Sequence, residues 1–137
     1  MKPRYSKYSV AVNLVCLILL LGISIYLGVT WGSLPDKIPG HYNAAGAVDR
    51  WGSKEELLIS PVIGWIVFLG ITAVGFFPQA WNPGVKITEE NREKIYRIIR
   101  NLLNTMKLII TVHFSLLTVN SASAKALPVW SFPVYVI

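Results

Sequence analysis

Three long apolar stretches divide this chain, and the segments between them differ in character. Between Lys7 and Asp36 lie 28 residues without a formal charge, and between Glu56 and Lys86 lie 29. About 20 apolar residues cross a bilayer, so each is long enough for a span. Between Lys107 and Lys125 lie 17 more, at the short end for a span unless Leu102 and Leu103 are also immersed. The pattern predicts helices over about 9–32, about 54–77 with a break at Pro61, and about 89–119, joined by loops at 33–53 and 78–88. In the third helix Ile95, Ile99, Leu102, Met106, Ile109, His113 and Leu117 recur at about 3.6-residue spacing. The opposite face carries Glu93, Arg97, Arg100, Asn104, Lys107, Thr111, Ser115 and Thr118, a polar stripe that should meet protein or water rather than lipid.

Local signals refine these limits. Ser53-Lys54-Glu55-Glu56 has the form of a capping box ahead of Leu57-Leu58, which would start a helix at Lys54. Ser60-Pro61 has the form of a cap followed by proline at the first helical position. Asn82-Pro83-Gly84 marks a turn, and Thr88 followed by Glu89 and Glu90 marks a helix start. In the first helix Ser24, Gly28 and Gly32 share one face, an expected close-packing seam. The apolar tail, residues 126–137, is too short to cross; it reads as the first half of a fourth helix in a truncated chain or as an interfacial segment. The expected class is an all-α membrane protein with three transmembrane helices, a partial fourth, and one domain over 1–137.

Composition supports lipid as the solvent: 53% of residues are hydrophobic and 15% charged, with a mean hydropathy of +0.51. The formal charge of +6 is a matter of topology, not of nucleic-acid binding. Lys2, Arg4 and Lys7 precede the first helix, and Lys86, Arg92, Lys94, Arg97, Arg100 and Lys107 follow the second. The 33–53 loop is instead nearly balanced. Under the positive-inside rule the N-terminus and second loop are cytoplasmic and the first loop external, in a multi-pass protein of the cell membrane. The start resembles a signal peptide, but its apolar run is too long and lacks an Ala-x-Ala site. Cys16 is the only cysteine, so no intrachain disulfide can brace the external loop.

That loop is dense in residues with special backbone or polar roles. Pro35, Pro39, Gly40, Asn43, Gly46 and Gly52 supply turn chemistry. His41, Asn43 and Asp49 form a candidate polar site, with Trp51 beside it; His41 and Asp49 are also weak metal-ligand candidates. Trp31 and Trp51 flank the loop and favour the membrane interface. Leu34, Pro35, Ile38, Pro39, Gly46, Gly52, Ser53 and Lys54 are expected to shape it.

The spacing Trp31-x-x-Leu34-Pro35-x-x-Ile38-Pro39-x-His41-x-Asn43-x-x-Gly46-x-x-Asp49-x-Trp51-Gly52-Ser53-Lys54 closely resembles the signature loop of a bacterial domain-of-unknown-function family found in SdpI-like membrane immunity proteins. A weaker resemblance covers Asn82-Pro83 and Thr88-x-Glu90-Asn91. The resemblance implies an integral membrane protein with this motif between its first two helices. In SdpI-like members it implies protection from a secreted toxic peptide and a part in signalling it; this chain lacks the rest of their larger membrane region.

The expected function is therefore nonenzymatic, an immunity or signalling component recognising a peptide or envelope ligand through its external loop. The alternative is a transporter or channel component using the polar residues of the third helix. No Gly-x-Ser-x-Gly, His-Glu-x-x-His or paired-carboxylate pattern supports a hydrolase, and no cofactor is expected. Expected partners are the bilayer, a secreted peptide or envelope component, and other membrane helices or further copies of the chain, but not nucleic acid.

Overall fold

The computed structural model describes residues 6–123. Helix α1 spans Lys7–Thr30 and continues as a tight 3-10 turn, Trp31–Ser33. A hairpin follows, β1 at Lys37–Tyr42 and β2 at Val48–Ser53. A second 3-10 turn, Lys54–Leu58, leads into α2 at Ile59–Gly75, and after a short turn at Pro78–Ala80 the chain forms α3, Arg92–Ala122. Three segments are long and apolar enough to cross a membrane: Lys7–Ser33, Lys54–Gly75 and Arg92–Ala122. This marks a membrane protein of the expected helical class with three spans, whose first loop adds only a small two-stranded sheet. The 126–137 tail lies outside the described residues, as do Lys2 and Arg4.

Helix α3 is the central element, packed along both α1 and α2, while α1 and α2 touch each other much less. On α1 the buried positions are Ser9, Val12, Cys16, Leu20, Ile23 and Leu27, three or four residues apart and so on one helical face. Ser6 caps this helix by accepting from the Ser9 amide at 3.1 Å. The anticipated Ser24-Gly28-Gly32 seam is displaced from this face: a Cβ on Gly28 or Gly32 would meet no atom within 4 Å. Close approach occurs instead at Gly64 of α2, where a Cβ would lie 3.1 Å from Leu20 Cδ2 and 3.7 Å from Phe114 Cβ. Val12, Cys16, Leu20, Ile23 and Phe68 form the core here, joined by Leu17, Trp65 and Leu108.

Beside this apolar core the bundle buries a polar stripe, while its outer faces are apolar. Asn104, Lys107, Thr111, Ser115 and Thr118 of α3 are all buried, whereas Leu102, Met106 and Ile109 are exposed, as are Ile18 and Ile25 of α1 and Ile66 and Leu69 of α2. In lipid the apolar face has no drive to hide, so association rests on close packing and interhelical hydrogen bonds. The bonds are present: Asn104 Nδ2 donates to Ser9 Oγ at 2.7 Å, Lys107 Nζ to Asn13 Oδ1 at 2.8 Å, and Trp65 Nε1 to Ser24 Oγ at 3.1 Å.

Two predicted helix starts differ in detail. Ser53 stands at the head of the 3-10 turn but its side chain makes no cap bond, and the Glu56 carboxylate, which would complete the expected box, pairs with Arg50 instead. Helix α2 begins at Ile59, before Pro61; proline is tolerated in a first turn, whose amides lack intrahelical acceptors anyway. Ahead of α3, Thr88 and Asn91 form a reciprocal box: the Asn91 amide donates to Thr88 Oγ1 at 3.3 Å and the Thr88 amide to Asn91 Oδ1 at 2.7 Å. Regular helix then starts at Arg92 rather than at Glu89.

Candidate functional site

The 33–53 segment owes its order to a short set of specific bonds. Asn43 Oδ1 accepts from the amides of Ala45 and Ala47, each at 3.0 Å, while the Asn43 amide donates to the Ala47 carbonyl at 2.9 Å. This closed Asx-type turn requires Gly46 at φ +80°, a conformation disfavoured by side chains. The strands pair antiparallel with Ile38 opposite Gly52, Pro39 opposite Trp51, His41 opposite Arg50 and Tyr42 opposite Val48. Gly40 on one strand and Asp49 on the other are thus skipped in the register, two bulges that bend the hairpin.

Three anchors seat the hairpin on the helices. Ile38 is buried among Leu27, Leu57 and Ala122, one residue from each of the three helical elements, with Trp31 and Leu34 against them. Lys54 donates from Nζ to the Trp31 carbonyl at 3.1 Å and lies 5.0 Å from the centroid of that ring, and its amide donates to the Asp36 carbonyl at 3.1 Å. Arg50 donates to Glu56 through two nitrogens, at 3.0 and 3.4 Å, and to the Gly40 carbonyl at 3.0 Å. Both Gly40 and Gly52 leave room for this pair: a Cβ on Gly40 would come within 2.8 Å of the Arg50 guanidinium, and one on Gly52 would collide with the Glu56 carboxylate. The hydrogen bond and charge of Glu56 hold the Arg50 guanidinium above its already high usual pKa.

Beneath the hairpin, between its strands and the facing ends of α2 and α3, lies a cleft of about 560 Å³. Ile38, Pro39, Leu57, Ile59 and Leu117 give it apolar walls; His41, Tyr42, Arg50, Glu56, Ser60, His113 and Ser121 place polar groups around them. Its volume falls in the roughly 300–1,000 Å³ range of organic-ligand sites, and so does its mixture of apolar surface with a few polar groups. Tyr42 bridges roof and floor through its hydroxyl, 3.3 Å from Ser121 Oγ, and burial pushes its phenol pKa up. His113 stacks edge-on against Phe114 with centroids 5.0 Å apart.

Of the residues singled out from sequence, His41 and Asn43 line this cleft, whereas Asp49 and Trp51 do not. His41 Nδ1 and Asp49 Oδ1 are 2.7 Å apart on an exposed face; no group of three His, Cys, Asp or Glu side chains suited to a metal occurs among the described residues. Asn43 closes the turn, and Trp51 is 52% exposed. Of the shaping residues, Ile38 and Pro39 are buried and Leu34 is half-buried, whereas Pro35 is exposed. Sequence reasoning missed Arg50, Glu56, Tyr42 and the floor residues from α3. The Arg50–Glu56 pair had a legible signal in the two glycines that flank it; nothing in the sequence joined the hairpin to α3.

Residues 17–64 match the family described as Domain of unknown function (DUF1648). That stretch holds half of α1, the whole hairpin and the start of α2, but not the α3 floor of the cleft. The chain is also similar to an uncharacterized protein of Archaeoglobus fulgidus, at 36% identity over 100 residues, covering 63% of this chain and 53% of the relative. It thus spans about half the length of that relative. No solved structure matches.

Proposed function

We propose that this is a nonenzymatic, SdpI-like recognition protein of the cell membrane, in which the hairpin-roofed cleft receives an amphipathic peptide or envelope component arriving at the outer surface. The observation that carries the reading is the cleft itself, with apolar walls and a polar margin at one end of a bundle whose outer faces suit lipid. An amphipathic segment presents the same two kinds of surface. The Lys and Arg residues at Lys2, Arg4 and Lys7, and those from Lys86 through the first half of α3 to Lys107, support a cytoplasmic N-terminus and an external hairpin. The His41–Asp49 pair is a link between the bulged strands, not a catalytic dyad.

The alternative of a transport pathway along α3 has weaker support, because Asn104 and Lys107 are engaged by Ser9 and Asn13 of α1 and Thr118 bonds the carbonyl of its own helix at Phe114. Cells expressing the chain should survive higher doses of membrane-active amphipathic peptides than cells carrying an empty vector. Ser60→Trp, which fills the cleft, should remove that protection at equal expression. Absence of protection by the native chain, or equal protection by the filled variant, would contradict the reading.

A further inference from the structure

Helices α1 and α2 both pack along α3 but touch each other little, and between them, at the hairpin end, a groove of about 490 Å³ remains. Leu27, Gly28 and Trp31 form one wall, and Leu58, Val62 and Trp65 the other. It shares no lining residue with the cleft beneath the hairpin. Gly28 helps to keep it open, since a Cβ there would meet no atom within 4 Å. The volume lies in the roughly 300–1,000 Å³ range of organic-ligand sites.

Two features define what fits. The first is the apolar character of the walls. Ser24 and Trp65, polar side chains at the inner end, are bonded to each other, Trp65 Nε1 donating to Ser24 Oγ at 3.1 Å, and the Ser24 hydroxyl donates to the Leu20 carbonyl at 2.7 Å. The segment that lies beside them is therefore hydrocarbon. From Trp31 to Ser24 the wall runs about 10 Å at 1.5 Å per residue, against roughly 15 Å for half of a bilayer's apolar core. The groove thus follows an acyl chain through most of the leaflet on the hairpin side.

The second feature is charge. Lys54 Nζ lies 5.0 Å from the centroid of the Trp31 ring and donates to the Trp31 carbonyl at 3.1 Å. Trp31 heads one wall of the groove, and Leu58, about one turn beyond Lys54, heads the other. An ammonium has three N–H donors, and among the described residues no carboxylate pairs with this one; Glu56, close by in sequence, is held by Arg50. A tryptophan ring favours the depth at which hydrocarbon gives way to headgroups, which is the depth of a phospholipid phosphate.

We propose that the groove between α1 and α2 is a binding site for one anionic phospholipid, with an acyl chain along Gly28 and Val62 and the phosphate on the Lys54 ammonium. The lipid completes the contact between α1 and α2 that the protein itself leaves open.

The full chain, delipidated in detergent, is titrated with phosphatidylglycerol and read by native mass spectrometry. The first lipid should bind at least about tenfold more tightly than the second. Gly28→Leu fills the groove without a clash and should erase that difference. Gly70→Leu adds the same side chain at an open position of α2 outside the groove and should preserve it. Lys54→Gln keeps a donor for the Trp31 carbonyl but loses the charge, and should weaken the first site severalfold. Dioleoylglycerol, which has the acyl chains and no phosphate, should show no preferred first site on the native chain. Equal lipid binding by the native chain and Gly28→Leu, an unchanged first site in Lys54→Gln, or a first site as strong for dioleoylglycerol would each overturn the proposal. So would a native dimer that Gly28→Leu dissociates, which would assign the groove to a second copy of the chain.

Discussion

The Arg50 guanidinium holds the Glu56 carboxylate through two nitrogens in a space that Gly40 and Gly52 leave open. Arg50 belongs to the second strand and Glu56 to the turn that starts the second membrane segment, so the pair fixes the hairpin to the bundle. Gly52→Ala should displace the flexible Glu56 side chain and loosen the hairpin. The same substitution should have little further effect in a Glu56→Ala background, because the clash and the pair are then both gone. Amide exchange of the hairpin in the two single variants and the double variant measures this; additive effects would show that Gly52 matters for another reason.

Ser53→Ala should be nearly neutral, within about 0.5 kcal/mol, because the side chain makes no cap bond. Had the capping box formed, the loss would be about 1 kcal/mol. Thermal unfolding of the variant separates these outcomes.

How far the sequence discloses this structure depends on the range of the interaction concerned. The spans were legible because lipid imposes a minimum apolar length on each segment separately. The buried polar stripe of α3 was legible from its periodicity. The hairpin was not, because its strands are short, their alternation is broken by bulges at Gly40 and Asp49, and turn residues suit loops and hairpins alike. Ser53 and Glu56 satisfied a local motif whose carboxylate half is taken by Arg50, six residues before Glu56. The cleft was hidden for a different reason: its roof and floor are 79 residues apart where Tyr42 meets Ser121.

The inward polar stripe predicts unequal tolerance around α3. Thr111→Leu adds volume at a residue only 1% exposed and should destabilise by about 1–3 kcal/mol. Ile109→Leu, on the outer face, should be tolerated. Equal effects on unfolding in nanodiscs would place the stripe elsewhere than between helices.

The Asn104–Ser9 bond should show a coupling of about 0.6 kcal/mol, and no more than about 1.7, in a double-mutant cycle with Asn104→Ala and Ser9→Ala. Zero coupling would mean that the bond does not hold α1 to α3.

Orientation can be read by cysteine labelling. Ala44 and Ala47 are exposed at the hairpin tip, and Cys16 is buried. Cysteines at either position, in a Cys16→Ala background, should react with an impermeant maleimide in intact cells. Reaction only after lysis would place the hairpin in the cytoplasm.

Binding at the cleft tests the recognition reading most directly. A fluorophore-labelled amphipathic helical peptide is titrated onto nanodiscs holding the native chain, Leu117→Trp or Leu69→Trp. Leu117 lines the cleft, whereas Leu69 is 57% exposed on the outer face. Saturable binding above that of empty nanodiscs should occur with the native chain, persist with Leu69→Trp and disappear with Leu117→Trp. Equal binding to all three proteins, or to empty nanodiscs, would show that the peptide reads the lipid and not the cleft.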